Sequence, residues 1–119
     1  MKKPKVAIII ATKNRCDKLK RCLDSIFRQT YKSYEVILVD NGSIDNTAKF
    51  ISKLKKSHNN IHGVVYLKSN IPAKIRNYGL KFTSESTKYV KWLDDDDLFE
   101  NKNALELLVK GMEKSKNNM

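Results

Sequence analysis

The sequence predicts an α/β fold: an open parallel sheet of about four strands with helices on both faces, the layout of a Rossmann-like nucleotide-binding half. Three observations predict it. Runs rich in β-branched residues alternate with stretches of helical apolar spacing, in the order β-α-β-α-β-α-β-α, which implies right-handed crossovers and a parallel sheet. The first of these runs is apolar on both faces, as a strand covered by helices must be. The polar residues that look out of place fall directly after strands, where open parallel sheets bind their ligands.

Each element has its own signal. Lys5 to Ala11 is apolar and β-branched, and a polar turn, Thr12 to Arg15, follows it. From Asp17 to Gln29, the residues Leu19, Cys22, Leu23, Ile26 and Phe27 form one helical stripe. Tyr34 to Val39 is a second strand ending on Asp40, and Asn41-Gly42-Ser43 is a turn. Asp45 or Ser43 can cap a helix carrying Ala48, Ile51 and Leu54. His62 to Leu67 holds a weaker third strand. Pro72 suits the first position of a helix carrying Ile75, Tyr78 or Gly79, and Phe82, because its missing N–H leaves nothing unpaired. Tyr89 to Leu93 is a fourth strand running into four aspartates, and a last helix spans about Asn103 to Met112.

At 119 residues the chain fits one compact domain, read as residues 1–113 with a polar tail at 114–119. Its 40% apolar and 31% charged residues exclude disorder. The net charge of +11 suits polyanions such as phosphate-bearing small molecules or an anionic membrane face. The lysines are spread at helix-surface spacing, and no aromatics interleave with them, so no nucleic-acid partner is expected. Cys16 and Cys22 have neither zinc nor redox spacing, and Cys22 reads as a small core residue. His58 and His62 fall in a loop entering a strand, with no Cys or carboxylate near them in sequence, and receive no role. The apolar run Val6 to Ala11 is too short to span a bilayer and lacks a cleavage site, so the expected setting is cytoplasmic, with peripheral membrane association as a further expectation.

The strongest chemical signal is the run Asp94 to Asp97, which gathers four of the 13 acidic residues of a strongly basic chain. Carboxylates this close repel one another unless a cation intervenes, and they are hard oxygen ligands suited to Mg²⁺ or Mn²⁺. A solvated acidic loop is the plainer alternative, but the run directly follows an apolar strand, which favours the metal. Asp40, at a strand end, is either a turn residue or an acceptor for a base N–H or a ribose hydroxyl. Arg76 and Lys74 are either surface cations or phosphate partners on a helix whose N-terminus faces an anion. A G-x-G-x-x-G turn, a P-loop and a nucleophile elbow are all lacking.

These segments resemble family 2 glycosyltransferases of the GT-A fold. Val6 to Arg15 resembles the family's V-S-V-I-I-P-T-Y-N-R, and Leu23 to Tyr31 its L-x-S-[IVL]-x-x-Q-T-Y. Glu35 to Thr47 resembles E-V-I-V-V-D-D-G-S-T-D-x-T. Ala73 to Leu80 resembles A-x-A-R-N-x-G-[LI], and Tyr89 to Asp97 resembles Y-[IV]-x-F-L-D-x-D-D, which carries the D-x-D motif. The five segments occur in order over nearly the whole chain.

The resemblance implies transfer of a sugar from a nucleoside-diphosphate donor, with uridine as the default base, to an acceptor hydroxyl with inversion at the anomeric carbon. It implies Mn²⁺ or Mg²⁺ as cofactor and an acceptor glycan or lipid-linked sugar as partner, as in cell-envelope polysaccharide biosynthesis. Carried over by position, Thr12 and Asp40 line the nucleoside pocket with Asn14 alongside, Asp94 and Asp95 lie near the ribose and diphosphate, Arg76 meets the donor phosphates, and Asp96 is the direct metal ligand. Lys13 replaces a common tyrosine beside the base, and Asn41 replaces an aspartate. Family catalytic domains run well past the D-x-D motif, and that portion supplies the acceptor pocket and the general base, so no base is expected in this chain. The alternative is a truncated, inactive nucleotide-binding or regulatory module. Either way, the edge of the fourth strand is expected to be exposed and apolar and to promote self-association.

Overall fold

A computed structural model of the chain describes residues 4–117. The elements alternate as expected: β1 (Val6–Thr12), α1 (Cys16–Phe27), β2 (Tyr34–Asp40), α2 (Thr47–Ser57), β3 (Ile61–Val65), α3 (Pro72–Leu80), β4 (Tyr89–Asp94) and α4 (Ala104–Asn117). The four strands form one parallel sheet in the order β3-β2-β1-β4. β1 is therefore central. Its run of Ala7, Ile8, Ile9 and Ile10 is fully buried, which is why it reads as apolar without alternation.

The two faces of the sheet carry different helices. Ile8, Ile10, Val36 and Leu38 pack with Leu19, Cys22, Leu23 and Ile26 of α1, Ile51 and Leu54 of α2, and Leu105 and Val109 of α4. Ala7, Ile9, Ile37 and Val39 face the other way, onto Ile75 of α3. The close seat of α3 depends on Gly79, where a Cβ would lie 2.8 Å from Ile9 Cγ2 and 3.1 Å from Val39 Cγ2.

Several polar residues of the apolar-looking stretches act as fasteners. Gln29, at the end of α1, is buried. Its amide nitrogen donates to the Ser25 carbonyl at 3.2 Å and the Asn101 carbonyl at 2.9 Å, and its oxygen accepts the Leu105 N–H at 2.9 Å. Ser25 Oγ accepts the Phe99 N–H at 3.1 Å. Together they pin the segment after the aspartates, and the first turn of α4, onto α1. At the other end of the sheet the buried Glu35 accepts from Ser84 N–H (2.9 Å), Ser84 Oγ (3.2 Å) and Thr87 Oγ1 (2.6 Å), which ties the approach to β4 onto β2.

Four details depart from the sequence reading. His62 Nε2 lies 3.3 Å from Glu35 Oε1, so this histidine does have a carboxylate partner. Adjacent parallel strands align Ile37 with His62, which brings Glu35 within reach although it is far away in sequence. The α2 N-cap is Asn46, whose side chain makes no cap bond, while Asp45 Oδ1 accepts the Thr47 N–H at 3.0 Å from one position upstream. β1 and β2 each run one residue further than read, to Thr12 and Asp40. α4 continues to Asn117, inside the stretch read as a polar tail; residues 118–119 lie outside the described range.

Among the described residues no helix is long and apolar enough to cross a membrane. The outer edge of β4 has no strand partner. Around it, Trp92 (39%), Leu98 (44%), Leu107 (61%), Leu108 (40%) and Met112 (40%) are exposed, as the apolar-edge expectation required.

Two substitutions test this packing. Gly79→Ala should destabilise the fold by about 1–3 kcal/mol, because the added methyl overpacks Ile9 and Val39. Gln29→Ala should cost about 1–3 kcal/mol by stranding the Leu105 N–H and the Asn101 carbonyl. Urea denaturation of both variants reads out these losses, and a midpoint equal to the parent's would contradict the assigned contacts.

Candidate functional site

β1 is where the path of the chain reverses: α1 and α2 lead outward to β2 and β3 on one face, and α3 returns across the other face to β4. A crevice lies at the carboxyl ends of β1 and β4, at this reversal of strand order, which is where open α/β sheets place ligands. The crevice is a cleft of about 430 Å³ lined by Thr12, Lys13 and Arg15 after β1, Asn41 after β2, Asn70, Pro72, Ile75 and Arg76 of the α3 region, and Asp94 and Asp95 after β4.

The four aspartates divide into two groups. Asp95 turns inward and is 6% exposed; its Oδ2 accepts the Thr12 hydroxyl at 3.0 Å and its Oδ1 lies 3.4 Å from Arg15 Nη1. Burial pushes the Asp95 carboxyl above the usual carboxylate range, against the pull of the Thr12 hydroxyl and the Arg15 guanidinium, while Asp96 and Asp94 add repulsion. Asp94, Asp96 and Asp97 are exposed, and each offers an oxygen within 4.8 Å of the others. A tight turn produces this grouping: the Asp97 N–H donates to the Asp94 carbonyl at 3.0 Å, and Asp97 Oδ2 accepts the Asp94 N–H at 3.0 Å.

Three hard carboxylate oxygens at this spacing fit a divalent cation such as Mg²⁺ or Mn²⁺. The fit extends to the cation's expected partner, a phosphate. Arg76 Nη2 is held by Asp94 Oδ1 at 2.5 Å, while its Nε is buried and without a hydrogen-bond partner. An arginine N–H left over in this way is chemically suited to an anionic oxygen such as that of a phosphate.

The structure sorts the residues singled out from sequence. Thr12, Arg76, Asp94 and Asp95 line the cleft, and Asp96 belongs to the carboxylate group beside it. Asn14 and Asp40 are not among the residues lining the cleft, and their side chains bond within the loops beside it. Asn14 has a left-handed backbone (φ 52°); its side-chain oxygen accepts the Ile44 N–H at 2.6 Å and the Asp45 N–H at 3.2 Å, and its own N–H donates to Ser43 Oγ at 2.9 Å. Asp40 is buried, and its Oδ1 accepts from Ser43 N–H (2.9 Å) and Ser43 Oγ (2.7 Å), supporting the turn in which Gly42 takes φ 84°. Lys74 does not accompany Arg76; it lines a shallow hollow with Tyr66, Lys68 and Lys81.

Three residues of the site had no sequence-level role of their own. Asn41 donates to the Tyr66 carbonyl at 2.8 Å and the Ser69 carbonyl at 2.9 Å, tethering the loop that leads to Pro72; an aspartate, which has no N–H, could not do this. Asp97 joins the carboxylate group. Arg15 reaches both Asp95 and Asp96. A tertiary contact alone reveals the pairing of Arg15 with an aspartate some eighty positions away. Cys22 lies beneath the aspartates, its thiol pushed up to about 12 chiefly by burial and then by the nearby carboxylates, so it is not a nucleophile. A larger cavity, about 830 Å³, lies at the opposite end of the sheet around Tyr34, Glu35 and His62, away from this cluster.

Known proteins share this architecture. An uncharacterized glycosyltransferase of Rickettsia bellii is 36% identical over 111 residues, which cover 93% of this chain and 15% of the relative. The minor teichoic acid biosynthesis protein GgaA of Bacillus subtilis is 31% identical over 103 residues, covering 84% of this chain and 23% of that protein. Among solved structures, S. aureus TarS 1-349 in complex with UDP-GlcNAc superposes with a TM-score of 0.80 at 26% identity, covering 92% of this chain and 31% of that one. The mannosyltransferase PcManGT of Pyrobaculum calidifontis, in complex with GDP-Man and Mn²⁺, gives 0.77 at 25% identity, covering 92% and 32%. The chain thus spans well under half the length of each of these proteins. The four-stranded parallel sheet flanked by helices matches the fold of these GT-A glycosyltransferases. The family described as "Glycosyl transferase family 2" matches residues 7–119, and so the chain, with its aspartates at the mouth of that sheet, belongs to this family.

Proposed function

We propose that this chain forms the donor half of an inverting, metal-dependent glycosyltransferase that takes its sugar from a nucleoside diphosphate, by default uridine diphosphate, and passes it to an acceptor hydroxyl on a glycan or lipid-linked sugar. The observation that carries the reading is the convergence, in the β1/β4 crevice, of the carboxylates of Asp94, Asp96 and Asp97 with the unpartnered Nε of Arg76. The UDP-GlcNAc bound to TarS and the GDP-Man and Mn²⁺ bound to PcManGT support it. GgaA, named for teichoic acid biosynthesis, supports a place in building cell-envelope polymers. A cytoplasmic setting with peripheral contact to an anionic membrane fits the net charge of +11.

In this reading Asp96 is the principal metal ligand, with Asp94 and Asp97 beside it. A bound Mn²⁺ or Mg²⁺ supplies Lewis-acid stabilisation of the departing diphosphate. Arg76 donates its Nε–H to a phosphate oxygen while Asp94 fixes the guanidinium plane. Thr12 holds Asp95 as a hydrogen-bonded wall of the ribose side, and Lys13 and Asn70 frame the mouth. Asn14, Asp40 and Asn41 act indirectly, by holding the three loops that bear these groups. The base that deprotonates the acceptor hydroxyl is not among these residues, so the transfer step requires groups beyond this half.

The test is calorimetric titration of uridine diphosphate, and separately guanosine diphosphate, with Mn²⁺ and then with chelator. Binding should require the metal and weaken at least about tenfold in Asp96→Ala, the scale of one lost charge-assisted contact. Failure of every nucleoside diphosphate to bind would defeat the donor-site reading. Metal-dependent binding without transfer to any acceptor would instead favour an inactive nucleotide-binding module. The unpaired β4 edge and the exposed Trp92, Leu107, Leu108 and Met112 beside it should also make the chain self-associate. Sedimentation velocity over a hundredfold concentration range should show this, and a single monomeric species throughout would refute it.

A further inference from the structure

Arg15 has no part in the reading above, yet it is placed at the centre of the charge cluster. Its backbone is fixed. It is the α1 N-cap residue, its carbonyl accepts the Leu19 N–H at 2.9 Å, and the residue before it, Asn14, is locked by its bonds to Ser43, Ile44 and Asp45. Its side chain, by contrast, is 49% exposed and lines the cleft.

The guanidinium bridges the gap between the β1 and β4 ends through one nitrogen, Nη1, which lies 3.4 Å from Asp95 Oδ1 and 3.7 Å from Asp96 Oδ2. Both contacts are long, and neither uses the two-pronged geometry that makes arginine–carboxylate pairs strong. Arg76 differs: its contact to Asp94 is short and part of its guanidinium is buried. Of the two arginines, Arg15 is therefore the one whose hold is readily exchanged.

Asp96 is shared between Arg15 and the carboxylate group of Asp94 and Asp97. A divalent cation on Asp96 would sit a few ångströms from the guanidinium, where like charges repel. The guanidinium, on a long side chain already in the cleft, would then be free for an anion arriving with that cation. We propose that Arg15 is an exchangeable counter-ion of the donor site: it neutralises Asp95 and Asp96 while no metal is bound, and moves onto the donor's phosphate oxygens when a divalent cation takes Asp96. The proposal rests on the metal-dependent donor reading above and extends it to a positioning residue that gates metal entry.

The experiment is calorimetry on the wild type, Arg15→Gln and Arg15→Lys, first with Mn²⁺ alone and then with uridine diphosphate at saturating Mn²⁺. Arg15→Gln should bind Mn²⁺ alone about 3- to 10-fold more tightly, because a competing positive charge is gone, yet bind the nucleotide about 10-fold more weakly. Arg15→Lys keeps the charge and should bind Mn²⁺ like the wild type. A purely structural arginine would weaken both affinities together in Arg15→Gln, and that result, or an unchanged Mn²⁺ affinity, would overturn the proposal. So would an Arg15→Lys protein that binds Mn²⁺ as tightly as Arg15→Gln. If the wild type binds no Mn²⁺, the metal reading itself falls and this inference with it. Wild-type binding with an unaltered Arg15→Gln removes this inference alone.

Discussion

The central position of β1 is the constraint on which the rest of the structure depends. Because β1 pairs with β2 on one edge and β4 on the other, all its backbone groups are satisfied inside the sheet and both its faces must be apolar. The same pairing puts the reversal of strand order at β1, with the crevice at its carboxyl end. Thr12, the last residue of β1, is thereby both a strand residue and a cleft residue. Its carbonyl accepts the Asn41 N–H at 2.9 Å, and its hydroxyl holds Asp95. One residue thus ties together the ends of β2, β1 and β4.

The family motifs do two kinds of work, and most of their residues are scaffold. Ser25 and Gln29 secure the polypeptide after the aspartates, Glu35 secures the approach to β4, and Gly79 lets α3 lie against β1 and β2. Asn14 and Asp40 fold the loops beside the cleft. Thr12, Lys13, Arg15, Arg76, Asp94 and Asp95 line it, with Asp96 and Asp97 beside it. A buried polar residue is tolerated only if its hydrogen bonds are met, so scaffold residues such as Gln29 and Glu35 are as strictly specified as ligand-contacting ones. Sequence likeness therefore cannot by itself separate the two kinds.

Electrostatics explains why the acidic run is tolerable in this position. Its residues are not four equivalent carboxylates on a loop. Asp95 is buried against a hydroxyl and a guanidinium, Asp94 is clamped by Arg76, and Asp97 is spent partly on its own turn. Asp96 is the least committed, with one long contact to Arg15. Two arginines from different helices thus offset the repulsion, and the exposed oxygens remain free to accept a harder cation.

The sequence by itself determined the fold class, the order of all eight elements and the gathering of polar residues at the strand ends. Each of these follows from local information: apolar periodicity, turn residues, and the rule that ligands meet parallel sheets at strand ends. Only the tertiary structure decided which aspartate turns inward, that Asn14 and Asp40 bond within the loops around Ser43, that His62 meets Glu35, and that Arg15 reaches Asp95 and Asp96. These are pairings between residues far apart in the chain, set by strand register and helix seating. The sequence pattern within one element is compatible with many such pairings, and the packed sheet selects one.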